Sequence, residues 1–159
     1  MTRLYRHIAG LTLAAGLAVD GGNTLRAQEA IAKEDEVVGT VVRFTAGLTW
    51  VDLTIGEDNP TVRDFLSRLP ITMEFEEYAG REKIGYFEPK LAIDGSPGSD
   101  PEDGDLIYFK PWGNLGFYYD TSGIGYSDQT IHIGTYNASR EELVQLEGQS
   151  VSVAVVQSP

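Results

Sequence analysis

The side chains most able to make a site are aromatic. Tyr86, Tyr108, Trp112, Tyr118 and Tyr119 fall in two neighbouring stretches, close to Lys83, Lys110 and Asn114. Aromatic walls carrying a few polar groups are what a ligand groove requires, because apolar area supplies affinity and the polar groups fix orientation. The expected binding residues are therefore Lys83, Tyr86, Tyr108, Trp112, Asn114, Tyr118 and Tyr119. The competing reading makes Pro111-Trp112-Gly113-Asn114 a tight hairpin turn whose indole caps a hydrophobic core, a role aromatic rings fill whether or not a ligand binds. Tyr118 and Tyr119 are adjacent, so in a strand one faces in and the other out.

Reactive chemistry finds little material. The sequence has no cysteine, which excludes thiol catalysis and cysteine-based metal sites. His132 could act as an acid or base near neutral pH. Its place between Ile131 and Ile133 predicts instead a solvated or hydrogen-bonded strand residue on the face opposite theirs. Asp100, Glu102, Asp103 and Asp105 could gather around calcium, but the glycine and closing glutamate of an EF-hand loop are out of register. A solvated acidic loop is the better reading. No G-x-S-x-G elbow and no phosphate-cradling Gly-Lys pair is present, which argues against serine-hydrolase and nucleotide chemistry. No catalytic residue, metal ligand or cofactor is expected.

The N-terminus reads as an address. Arg3 and Arg6 precede twelve uncharged residues, Ile8 to Val19, and small or polar residues lead to Ala27. A basic start, a short apolar run and a small residue at the cut make a secretory signal, and the run is too short for the about 20 residues that span a bilayer. Cleavage is expected after Ala27, with Ala18 as the alternative, leaving a periplasmic or secreted chain that does not engage the membrane. Of 12 basic and 24 acidic residues, Arg3, Arg6, Arg26 and Asp20 go with the signal, leaving nine against 23 and a net charge of −14. That charge disfavours nucleic acid as a partner. The remaining 132 residues suit one domain, burying roughly two thirds of its unfolded surface without disulfides.

After a polar lead-in over 28–36, a mostly β domain is expected over 37–157. Val37 to Phe44 and Leu48 to Ile55 read as a hairpin, with Thr49, Val51, Leu53 and Ile55 on one face. Asn59 caps a helix opened by Pro60 and ended before Pro70, with Val62, Phe65, Leu66 and Leu69 as its stripe. Ile71 to Glu76 alternates strictly and predicts one strand, with Ile71, Met73 and Phe75 inward. Asp94 to Asp105 is a loop with almost nothing to bury. Strands follow over 106–109, 115–119 and 130–136. Ser139 to Glu142 is a capping box opening a second helix with Leu143 and Leu146 inward, and Val151, Val153 and Val155 alternate in a last strand. Many short strands with two brief helices indicate an antiparallel barrel.

Three stretches carry a family likeness. They are Glu82-Lys83-Ile84-Gly85-Tyr86-Phe87 with Pro89-Lys90-Leu91, the run from Gly104 to Tyr119, and Ile131-His132-Ile133-Gly134 with Leu143 to Gly148. Over about Val42 to Val156 the chain resembles the bacterial cyclophilin-like proteins. The resemblance implies a closed antiparallel eight-stranded barrel with two short capping helices, and no settled reaction. Prolyl-isomerase cyclophilins carry a Phe-His-Arg stretch and a Gln-Gly-Gly stretch, and both are missing. Thr61-Val62-Arg63-Asp64-Phe65 is similar to their first helix, while Arg81 is the one arginine soon after the third strand and stands beside Glu82 in a turn. The expected function is a non-catalytic module binding a small molecule or peptide. A weak prolyl isomerase using Arg81 is the alternative.

Overall fold

In the computed structural model, residues 36–156 are described; the expected signal peptide over 1–27 and the lead-in as far as residue 35 lie outside them. The elements run β1 (Val41–Ala46), β2 (Thr49–Ile55), α1 (Pro60–Ser67), β3 (Ile71–Met73), β4 (Glu76–Tyr78), β5 (Glu82–Tyr86), β6 (Asp105–Phe109), β7 (Asn114–Tyr118), β8 (Thr130–Tyr136), α2 (Arg140–Val144) and β9 (Val151–Val155). Local chemistry explains both helix starts. Asn59 accepts a hydrogen bond from the Val62 amide at 3.0 Å, and Pro60 occupies the first turn, where no N–H is needed. Ser139 and Glu142 satisfy each other's backbone amides at 3.2 and 2.7 Å.

All nine strands join one antiparallel sheet in the order β3-β9-β1-β2-β8-β6-β7-β5-β4. The expected closed eight-stranded barrel is therefore corrected to an open, curled half-barrel of nine strands. The reason lies in the segment that predicts a single strand from Ile71 to Glu76. It breaks after Met73, so β3 pairs with β9 and β4 pairs with β5, at opposite edges of the sheet. Between them Phe75 makes a parallel bridge to Glu147, and its carbonyl accepts from the Gly148 amide at 3.3 Å. A backbone bonded to the α2–β9 connection cannot also continue a ladder.

The concave side holds the core. Val42 and Phe44 of β1, Val51, Leu53 and Ile55 of β2, and Val151 and Val153 of β9 alternate inward. From the other half come Leu106, Tyr108, Leu115, Phe117, Ile131 and Ile133. Val62 and Phe65 of α1 and Leu143 and Leu146 close the ends. Strands β2 and β8 approach so tightly at Gly134 that a Cβ there would stand 2.2 Å from the Thr54 carbonyl oxygen. The acidic loop also differs from its prediction. Its Ser96 is buried and receives the Thr61 amide at 3.0 Å, while Ser99 and Ser127 exchange backbone bonds at 3.1 and 2.9 Å.

Candidate functional site

Strands β5 and β7 are covered on both faces, and their register decides what each side chain meets. Lys83 lies opposite Phe117 on the core side; Glu82 lies opposite Tyr118, Ile84 opposite Gly116, and Tyr86 opposite Asn114 on the convex side. This divides the seven expected binding residues. Tyr108 faces the core, fully buried, and its hydroxyl accepts from the Leu91 amide at 2.9 Å. Lys83 is also inward, 1% exposed, and its ammonium donates to Glu77 and Glu147. Neither lines a surface groove. Tyr119 joins Lys83 at the seam near β4: its hydroxyl donates to Glu77 at 2.6 Å, the Lys83 ammonium lies 5.5 Å from its ring centroid, and Arg140 lies 4.8 Å from it. Burial, then the Glu77 carboxylate, push this phenol up to about 12. Burial alone would raise Glu77, but the bonds from Lys83 and Tyr119 outweigh it and hold the carboxyl below its usual range.

The convex face gathers the rest. Three rows cross it: Tyr78, Glu82 and Tyr118; then Ile84, Gly116 and Ile107; then Tyr86, Asn114 and Phe109. Trp112 projects from the β6–β7 turn and meets Tyr78 edge-on at 5.2 Å and Phe109 at 5.4 Å. Trp112 and Tyr78 are 43% and 40% exposed. Under them the floor is polar: Glu82 is 8% exposed and Asn114 1%. Oε2 of Glu82 and Oδ1 of Asn114 have no hydrogen-bond donor among the described residues. Glu82 leans over Gly116, where a Cβ would stand 2.1 Å from Oε2. Tyr78, Phe109 and Glu82 were not among the expected site residues. The available signal was the period of two along Glu82, Ile84 and Tyr86, which puts an acid on a face flanked by apolar strands.

Burial raises the Glu82 carboxyl to about 7, the Tyr118 hydroxyl opposing and the charge of Glu77 adding to the rise. The folded state then keeps a proton that the unfolded chain has lost between pH 4.5 and about 7. Stability falls as pH rises through that window, and the penalty is complete above it. Glu82→Gln removes the charge at constant shape. It should raise the melting temperature by about 4–8 °C at pH 8.5, for a gain of about 1–2 kcal/mol, and leave it unchanged at pH 4.5. Calorimetry at the two pH values checks this, and an equal shift at both would refute it.

The remaining candidates make contacts within the fold. His132 lies opposite the Ile131 and Ile133 face, its Nε2 3.4 Å from Asp105 and its Nδ1 3.5 Å from Glu57. The bond to Asp105 raises its pKa despite burial. Arg81 donates to the Ser122 carbonyl at 2.5 Å. Asp103 accepts from the Thr121 amide and hydroxyl at 2.7 and 2.8 Å, and Asp105 from the Glu102 amide at 2.9 Å. These acids anchor turns, and the described residues contain no group of three or more metal-ligating side chains. A groove of about 760 Å³ beside Trp50 and α2 has its Asp52 paired with Arg43 at 2.7 Å. It holds no buried atom lacking a partner, so the convex face is the stronger candidate.

Comparison with known proteins agrees with the fold. The profile of a cyclophilin-like family matches residues 44–156. None of the curated proteins compared with the chain matches it. A hypothetical protein from Archaeoglobus fulgidus, solved in solution, superposes with a TM-score of 0.60 at 19% identity, covering 77% of this chain and 98% of its own.

Proposed function

The chain belongs to the cyclophilin-like family, and from that premise we propose that it is a non-catalytic binding domain holding a small molecule or peptide segment against the aromatic convex face. One observation carries this reading: exposed Trp112 and Tyr78 and half-buried Phe109 form an edge-to-face cluster beside two buried acceptor oxygens that no described residue satisfies. Rigid aromatic rings beside buried polar atoms combine apolar area with directional contacts. Fold alone assigns no reaction, so the residues decide. Isomerising a prolyl bond means lowering a barrier of about 18–20 kcal/mol, which calls for a guanidinium aimed at the bond. Arg81 is engaged with the Ser122 carbonyl instead, and the Phe-His-Arg and Gln-Gly-Gly stretches are missing.

Export completes the proposal: Arg3, Arg6, the apolar run and Ala27 direct the chain to the periplasm or medium. Nucleic acid is not a partner in this reading, because the net charge is negative. The test uses protein recovered from that compartment, whose mass should correspond to a chain starting at Gln28. With Trp50→Phe leaving Trp112 as the one indole, capped Ala-Ala-Pro-Phe and p-cresol serve as probes. Saturable change in Trp112 fluorescence is expected with at least one of them, weakened at least fivefold by Tyr86→Ala, and no acceleration of prolyl isomerisation. Acceleration abolished by Arg81→Ala would make the protein an isomerase and end the binding-only reading.

A further inference from the structure

The convex face places two unpartnered acceptor oxygens beside aromatic rings. Trp112 touches Tyr78 in one row and Phe109 two rows away, so its indole crosses the middle row of Ile84, Gly116 and Ile107. Gly116 contributes no side chain there, and the Glu82 carboxyl occupies the space that a Cβ would fill. Asn114 is the next residue on the same face of β7. Glu82 Oε2 and Asn114 Oδ1, both on side chains more than nine-tenths buried, are the two buried side-chain atoms without a partner among the described residues. Buried acceptors left unpaired are costly, and the rings above them present negative faces.

The Tyr118 hydroxyl bonds to the Glu82 carboxyl, yet Glu82 Oε2 and Asn114 Oδ1 stay without a donor among the described residues, and these two oxygens and the ring faces all accept. Their complement is a group that only donates and carries positive charge; a guanidinium and an ammonium both do, and the ammonium is the compact one that suits a space bounded by Gly116. Calcium or magnesium would demand more oxygen ligands than this pair supplies, and no cluster of three or more metal-ligating side chains exists among the described residues. We propose that Glu82 and Asn114, roofed by Tyr78 and Trp112, bind the primary ammonium group of an alkylamine or of a lysine side chain. This rests on the binding reading above and names its ligand chemistry. The ligand enters by parting the Tyr78–Trp112 contact, whose rings already face solvent on one side. Three N–H bonds are then available to the unsatisfied oxygens, and the remaining charge is held against the rings. The protein's overall negative charge draws cations toward it.

The experiment titrates the Trp50→Phe protein at pH 8 and constant ionic strength with n-butylammonium, n-butanol and the capped peptide Gly-Lys-Gly. At this pH the amine stays charged, as lysine does, while Glu82, with a pKa of about 7, is ionised. The groups facing Glu82 are Tyr78 of β4 and Tyr118 of β7, with Glu77 acting on it from β4. Saturable change in Trp112 fluorescence is expected with n-butylammonium and not with n-butanol. Affinity should fall at least tenfold in Glu82→Gln and again in Gly116→Ala, whose methyl fills the occupied space, with circular dichroism confirming that both are folded. Tighter binding of the lysine peptide than of the free amine identifies a protein ligand, and the reverse order a metabolite amine. An equal response to n-butanol overturns the ammonium site but keeps the aromatic face as a binding surface. Unchanged affinity in both variants overturns it as well. Silence toward all three probes and toward the prolyl peptide and p-cresol removes both readings.

Discussion

Phe117→Ala should destabilise the folded protein by about 4 kcal/mol and lower its melting temperature by about 15 °C. Phe117 is fully buried on β7, and its ring meets Phe44 of β1 at 5.0 Å, Tyr136 of β8 at 5.1 Å and Phe75 at 5.4 Å. The cluster therefore ties three separate parts of the open sheet to one ring. Removing it loses the transfer energy of the ring and leaves a cavity between strands that their ladders hold apart. The edge-to-face contacts add a further fraction of a kcal/mol each. Since a domain is stable by only about 5–15 kcal/mol, this is a large share of the total. Urea unfolding should show a lower midpoint at unchanged slope. Phe117→Leu, which keeps most of the volume, should cost no more than about 1.5 kcal/mol. A loss under 2 kcal/mol in the alanine variant would mean that the core collapses around the gap and that the ring does not brace the sheet.

Lys83→Met comes next, with an expected cost of about 3 kcal/mol at pH 7. Lys83 is the cation inside the curled sheet, joining Glu77 of β4 to Glu147 of the α2–β9 connection. It spans the place where the sheet fails to close. Methionine matches the length of the stem but leaves two carboxylates facing each other. Their side chains are 34% and 32% exposed, so water relieves part of the repulsion and the cost sits at the low end for a broken buried pair. Glu77 is held below its usual pKa in the intact protein. Its contribution is present above the unfolded carboxylate pKa and lost as pH falls through the lower folded value. The deficit of the variant should accordingly be largest above pH 5 and shrink on acidification. Faster hydrogen exchange at the Gly148 amide, which donates to the Phe75 carbonyl, would report opening of the same seam. A stability change within 0.5 kcal/mol of zero, with Gly148 exchange unaltered, would sink the idea that this lysine fastens the two edges.

Both variants concern positions that local reading could not interpret. Every residue of β7, and the first four of β5, is buried, because the core covers one face and the aromatic cover and loops lie over the other. When both faces are covered, the alternation that distinguishes them disappears from the sequence. Lys83 therefore reads as a polar group beside tyrosines, and its burial depends on Glu77 across the β4–β5 turn and on Glu147, sixty-four residues along the chain. Tyr78 and Trp112 are likewise distant in sequence and meet only because β4, β5, β7 and β6 lie side by side in that order.

What the sequence determined by itself is local. The Asn59-Pro60 and Ser139-to-Glu142 starts, the inward set of β2, Val151 and Val153 of β9 (Val155, read on the same face, is exposed), and the placing of His132 against Ile131 and Ile133 follow from caps and period, which act within a few residues. The likeness over the chain from Val42 also carried the family. Tertiary structure alone decided where the strand after α1 breaks, since Phe75 bonds to a connection more than seventy residues away. It also decided which of the expected aromatic and polar residues share a face, and it set Oε2 of Glu82 in the space above Gly116 with no donor to it among the described residues. Those outcomes depend on strand register and long-range pairing, and a residue's type and near neighbours do not encode them.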